Sequence, residues 1–120
     1  MSISSRVTEI RVSSDRRQLA VQFGDGVTHA LSAESLRVNS PSAEVQGHSP
    51  DQRITVSGKR NVAIASVEPV GNYAIKIGFD DGHDTGIYSW SYLRALGDES
   101  DTLWTRYLKE LEQKGLSRDA

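Results

Sequence analysis

Asp80, Asp81, His83 and Asp84 are the densest group of ionisable side chains in this 120-residue chain. Carboxylates and an imidazole this close together suit a hard divalent cation or a zinc-type site. The same residue types also serve as turn chemistry and solubilising charge at a hairpin tip, and their spacing is not that of an EF-hand loop. Of the other histidines, His48 lies between Gly47 and Ser49-Pro50 and reaches His83 only if its segment folds onto the hairpin. His83 and His48 are therefore the candidate metal-ligating residues. Asp84-Thr85-Gly86 spells the aspartic-protease triplet, but Asp80-Asp81-Gly82-His83 stands where those enzymes have an apolar strand. No serine sits in a nucleophile elbow and no glycine-rich phosphate loop is present. There is no cysteine, which removes disulfides, thiolate metal sites and cysteine nucleophiles from this chain. The residues thus predict no catalytic site.

These side chains must be placed by a hairpin. Tyr73, Ile75, Ile77 and Phe79 alternate along one side of a strand, Asp81-Gly82 turns the chain, and Gly86-Ile87-Tyr88 returns. Such a pattern predicts a type I′ turn with positive φ at the glycine. The same plan occurs earlier in the chain. Leu19, Val21, Phe23, Asp25, Gly26 and Leu31 match Ile75, Ile77, Phe79, Asp81, Gly82 and Ile87 at an offset of 56. Leu36-Arg37 then matches Leu93-Arg94 after one inserted residue, so the chain reads as two hairpin-plus-short-helix units. Ser32 is a predicted N-cap for the first helix.

Around these units, Val7–Val12 predicts a first strand with Thr8, Ile10 and Val12 on one face. Val38–Arg53 is the least regular part, with one helical turn beginning at Pro41. Ile54–Ser57 predicts a strand, and the nearly unbroken apolar run Val62–Val67 a central strand covered on both faces. Leu103, Trp104, Tyr107, Leu108 and Leu111 form the apolar stripe of a last helix, packed on the sheet with Leu108 buried and Gly115 ending it. Trp90, Tyr92 and Trp104 read as core at helical spacing.

The expected architecture is a single α+β domain over residues 1–120, mostly antiparallel β. Its core spans about 7–96, and the last helix, about 100–114, packs on the sheet. A net charge of −2 offers no basic field for a phosphate backbone, so nucleic acid is not an expected partner. No stretch has signal-peptide or membrane-span character, so a soluble, cytoplasmic protein is expected.

Two motifs carry a resemblance. Leu36-Arg37-Val38-Asn39-Ser40-Pro41-Ser42-Ala43-Glu44-Val45 resembles the Leu-Arg-x-Asn-Cys-Pro-Cys-x-x-Cys segment of the gamma-butyrobetaine hydroxylase-like N-terminal family, long known only as a domain of unknown function. Gly71-Asn72-Tyr73-Ala74 together with Asp81-Gly82-His83-Asp84-Thr85-Gly86-Ile87-Tyr88-Ser89-Trp90 resembles that family's second signature. The resemblance implies a small β-rich domain. In gamma-butyrobetaine and trimethyllysine dioxygenases it precedes the catalytic domain, holds a structural zinc on three cysteines and one histidine, and is implicated in dimer contacts. A related domain is fused to Mrp-type iron–sulfur carrier ATPases. By position, the cysteines fall on Ser40, Ser42 and Val45 and the histidine on His83, so the resemblance implies loss of the zinc. Glu44 and His48 with His83 are what remains for a weaker site.

The expected function is a stand-alone, non-catalytic interaction domain that uses the irregular segment and the His83 hairpin. It is expected to bind a protein partner or form a homodimer, with no cofactor, nucleic acid or membrane. The alternative is a metal-binding or iron–sulfur-related accessory protein using His83 and its neighbours.

Overall fold

A computed structural model describes residues 6–47 and 49–119. Strands β1 (Val7–Val12), β2 (Gln18–Phe23) and β3 (Thr28–Ser32) form one antiparallel sheet in the order β1-β2-β3 and lead into helix α1 (Ala33–Val38). After helix α2 (Ala43–Gln46) and a 3₁₀ turn at Pro50–Gln52, strands β4 (Ile64–Val70), β5 (Ala74–Phe79) and β6 (Gly86–Ser89) form a second such sheet, β4-β5-β6. Helices α3 (Trp90–Asp98) and α4 (Ser100–Lys114) follow. The fold is α+β, with two antiparallel meanders, each followed by a helix.

The two units repeat in detail. Ser32 and Ser89 both cap a helix, accepting from the N–H of Ser35 at 3.0 Å and of Tyr92 at 3.1 Å. Leu36 and Leu93, one on each of those helices, are both fully buried. In each unit the first strand carries a bulge, between Val7 and Glu9 and between Ile64 and Ser66. The bulge re-aims β1, so Val7 joins Ile10 and Val12 toward the core, and Thr8, expected on that face, is exposed.

The hairpins place the inserted residue earlier than expected. Leu31 pairs with Leu19, and Tyr88 pairs with Ile75. The buried counterpart of Leu31 is therefore Tyr88, and Ile87, expected there, is exposed. The additional residue lies between His83 and Gly86, in the returning arm just past the loop. Both loops close with Phe23 N–H donating to Val27 and Phe79 N–H to His83. Only the glycines adopt positive φ, +92° at Gly26 and +91° at Gly82. A type I′ turn needs positive φ at both central residues, so these are three-residue loops with a left-handed glycine.

Further expectations change for physical reasons. The apolar run at Val62–Val67 does not form the central strand. Its β4 part is an edge strand with Ala65 and Ser66 exposed. The strand covered on both faces is β5, because Ala74 and Gly78 on its outer side are small enough for neighbours such as Ser66 to overlie them. Tyr73 precedes β5 and is exposed. Ile54–Ser57 is irregular instead of a strand, and its backbone serves α4: the Tyr107 hydroxyl donates to the Val56 carbonyl at 2.7 Å.

The main core joins both sheets through Leu19, Val21, Phe23, Ile75, Ile77 and Phe79, and α4 contributes to it through Leu103. Farther along, Tyr107 and Leu111 of α4 pack on Val38 and Val56 in a second cluster. That choice of partner turns the helix, and Leu108, expected to be buried, is 40% exposed.

An exchange of ion pairs clasps the units together. Arg37 of the first unit donates from Nε to Asp81 in the second hairpin at 2.7 Å. Arg94 of the second unit reaches Asp25 in the first hairpin at 3.1 and 3.2 Å. Among the described residues, no helix is long and apolar enough to cross a membrane.

Candidate functional site

The site forms where the segment after α1 folds against the His83 hairpin. Asn39 ends α1, and its side-chain amide donates to the Ser35 carbonyl at 2.9 Å. Pro41 stands between Ser40 and Ser42, and Ser42 caps α2, accepting the Glu44 N–H at 3.1 Å. On the facing side, the extra residue of the second hairpin turns His83 inward, to 7% exposure. His83 is thus a buried residue with partners on both nitrogens.

Ser40 Oγ lies 2.8 Å from His83 Nε2, and Glu44 Oε1 lies 3.1 Å from His83 Nδ1. A carboxylate only accepts, so Nδ1 donates to Glu44, and in the neutral imidazole Nε2 accepts from the Ser40 hydroxyl. Ser40 Oγ in turn accepts the Ser42 N–H at 3.2 Å, and the Ser40 carbonyl accepts from Gln46 Nε2 at 2.8 Å. A second hydroxyl pair, Ser42 with Thr85 at 2.7 Å, ties the segment to the hairpin. Val45 is buried beside them. Tyr88 closes the floor, donating to the Leu36 carbonyl at 2.6 Å. Burial pushes its phenol above the usual range, with the nearby Ser40 hydroxyl acting the other way.

Serine, histidine and carboxylate in this order are a proton-relay geometry. Ser40 is nevertheless fully buried, and none of the larger surface cavities includes it in its lining. The hydrogen bonds of Ser40 and Ser42 join the segment after α1 to the His83 hairpin.

The clustered aspartates separate in space. Asp81 accepts from Arg37, from Lys59 at 2.6 Å and from the His83 N–H at 3.0 Å. Burial alone would raise its pKa; the hydrogen bonds from Lys59, the His83 amide and Arg37 prevail and hold it at about 2. Asp80 accepts the Ala63 N–H at 3.1 Å, and Asp84 is exposed. No group of three or more histidine, cysteine or acidic side chains is placed to hold a metal among the described residues. His48 lies outside the described residues. The zinc implied by the resemblance does not fit the residues present: Ser40 and Ser42 offer neutral hydroxyls, Val45 offers no donor, and both His83 nitrogens are already engaged.

Sequence reasoning reached Ser40, Ser42, Glu44 and His83. It missed Thr85, Gln46, Arg37 and Lys59 as partners. The repeat held a signal for Arg37, since each Leu-Arg is matched to an Asp-Gly turn in the other unit.

Comparisons with known proteins agree on the lineage. The family model "Gamma-butyrobetaine hydroxylase-like, N-terminal" matches residues 10–94. A protein of unknown function from Acidithiobacillus ferrooxidans ATCC 23270, assigned to the DUF971 family and solved by crystallography, is 38% identical with a TM-score of 0.67, over 81% of this chain and 98% of its own. Two proteins with NMR solution structures are similar as well. One is 46% identical at a TM-score of 0.80, over 94% of this chain and 89% of its own. The other is 47% identical at 0.81, over 94% of this chain and 84% of its own. No curated protein matches. With the family model spanning most of its length, this chain belongs to the gamma-butyrobetaine hydroxylase-like N-terminal family.

Proposed function

We propose that this chain is a non-catalytic interaction domain of the cytoplasm. It engages a protein partner, or a second copy of itself, through the 38–53 segment and the His83 hairpin, with no metal or other cofactor. The observation that carries this reading is the self-satisfaction of the site. Ser40, Ser42, His83 and Thr85 hydrogen-bond one another, and the one group with the chemistry of a nucleophile is fully buried. What the site offers to solvent is Glu44, with 62% of its side chain exposed, on a short helix held in place from beneath. A rigidly mounted, exposed carboxylate is suited to recognition.

Two measurements test the reading. Light scattering after gel filtration reports self-association, and NMR titration with a candidate partner follows the amides of 38–47 and 81–86. Glu44→Ala is expected to weaken binding while leaving the melt within a few degrees. Stoichiometric metal in protein purified without chelator, lost in His83→Ala, would replace this reading with that of a metal-binding accessory protein. Turnover of any ester or amide that stops in Ser40→Ala would replace it with an enzyme.

A further inference from the structure

On the far side of α1, a second constellation stands apart from the His83 site. Glu34 lies in the first turn of α1 with only 7% of its side chain exposed. Both of its oxygens accept from Arg118, from Nε and Nη2, each at 2.8 Å. The guanidinium also lies 4.9 Å from the centre of the Trp104 ring. On the main chain, the Gly58 N–H donates to the Ser117 carbonyl at 2.8 Å and the Arg60 N–H to the Arg118 carbonyl at 2.9 Å. A buried carboxylate fork, an aromatic face and backbone donors are components by which proteins read an arginine within a peptide.

We infer that the cleft between Glu34, Trp104 and the 58–60 loop is a binding site for an extended, arginine-bearing peptide of another protein, and that residues 117–119 occupy it as a displaceable stand-in. The segment has one side-chain anchor that is sheltered from solvent, together with the two main-chain hydrogen bonds. Arg118 is the half-buried residue, whereas Leu116, Ser117 and Asp119 are exposed. The flanking pair of Arg60 with Asp119 is largely in solvent, with 44% and 64% of the side chains exposed, and ion pairs of that kind hold weakly. Beside Arg118 an open cavity of about 250 Å³, lined by Lys59, Asn61, Asp80 and Asp81, has room for further residues of a longer peptide. Once Arg118 withdraws, Glu34 is a buried carboxylate without its cation, which favours capture of another guanidinium. The anchor of this site, Glu34 with Trp104, lies outside the surface proposed above, and the two adjoin at Asp81.

The test uses the full chain carrying Arg118→Ala, titrated with the synthetic peptide Leu-Ser-Arg-Asp. The indole N–H of Trp104 reports binding, and that of Trp90 serves as the internal reference. Saturable shifts of Trp104 are expected in Arg118→Ala, with an apparent affinity about tenfold or more weaker in the unsubstituted chain, whose own arginine competes. Adding Glu34→Gln, or replacing the peptide's arginine with lysine, is expected to remove the response. An Arg118→Ala chain that fails to fold would show that the segment is structural and would overturn the inference. So would a folded one that ignores the peptide, or equal binding by both chains.

Discussion

Arg37 and Arg94 occupy matching places in the two units but live in different surroundings. Arg94 lies 5.0 Å from the centre of the Phe23 ring and pairs with both Asp25 and Asp98. Arg37 meets Asp81, which it shares with Lys59, and its Nη1 is buried without a hydrogen-bond partner among the described residues. The hairpin tips differ likewise. The first is braced on the surface, where His29 meets Asp98 at 2.8 Å and stacks against Gly97. The second holds an additional residue just past its loop and receives the segment after α1; Ser40 and His83 are buried between the two, and Thr85 stands exposed at the edge. One tip of a duplicated frame is a brace, and the other has become a site. The frame is shared; the insertion and the additional residue make the difference.

The broadest challenge to this comparison is to remove the shared frame. Leu36→Ala and Leu93→Ala each delete a fully buried leucine and should each destabilise by about 2–5 kcal/mol. Urea unfolding measures both, and a marked inequality would mean that the two units do not contribute alike. The next effect is specific to the site. His83→Ala strands Ser40 beside a void and should cost about 2–3 kcal/mol, against about 1 kcal/mol for its counterpart Val27→Ala. Thermal melts of the pair decide whether the second tip is tied down as described. Arg37→Ala should follow at about 1–3 kcal/mol, because it leaves Asp81 with Lys59 as its one cation beside the His83 N–H. Arg94→Ala, at the more open tip, should cost less.

Acid titration sharpens the same contrast. Asp81 has its carboxyl held at about 2 against an ordinary 3.8. Its folded pKa is depressed, so its contribution is complete above pH about 4 and disappears as pH falls through about 2. Screening at this partly exposed position limits the contribution to about 1 kcal/mol. Asp81→Asn should flatten the fall in stability across that window, measured by urea midpoints at successive pH values. The smallest effects are at the caps. Ser32→Ala and Ser89→Ala should each cost about 1 kcal/mol and agree within a few tenths, since both oxygens cap in the same geometry.

Much of this frame was legible beforehand. Alternation marked β2 and β5, Asp-Gly marked both turns, and serine before a helical run marked a cap. Each of these rests on neighbours in sequence. The departures rest on contacts between distant segments. Nothing local announces the bulge at Thr8, which follows from how β1 meets β2. The apolar run at Val62–Val67 looks central, yet Gly78 and Ala74 let β5 take that place by being small. Leu108 shares the spacing of Leu111 but faces away, because α4 lies against Val38 and Val56. At the site, the resemblance located Ser40, Ser42, Val45 and His83. That His83 would be held by Ser40 and Glu44 depended on where the extra hairpin residue fell, which only the pairing of Tyr88 with Ile75 reveals.

The crossed arginines also bear on how the chain folds. A half that forms first has its turn carboxylate without the arginine of the other half, so it gains less from closing alone. Each half completes the other, which favours a single all-or-none transition over a sequence of independent steps. For the same reason, two fragments severed between Ile54 and Asn61 would be expected to find one another in solution and rebuild the whole.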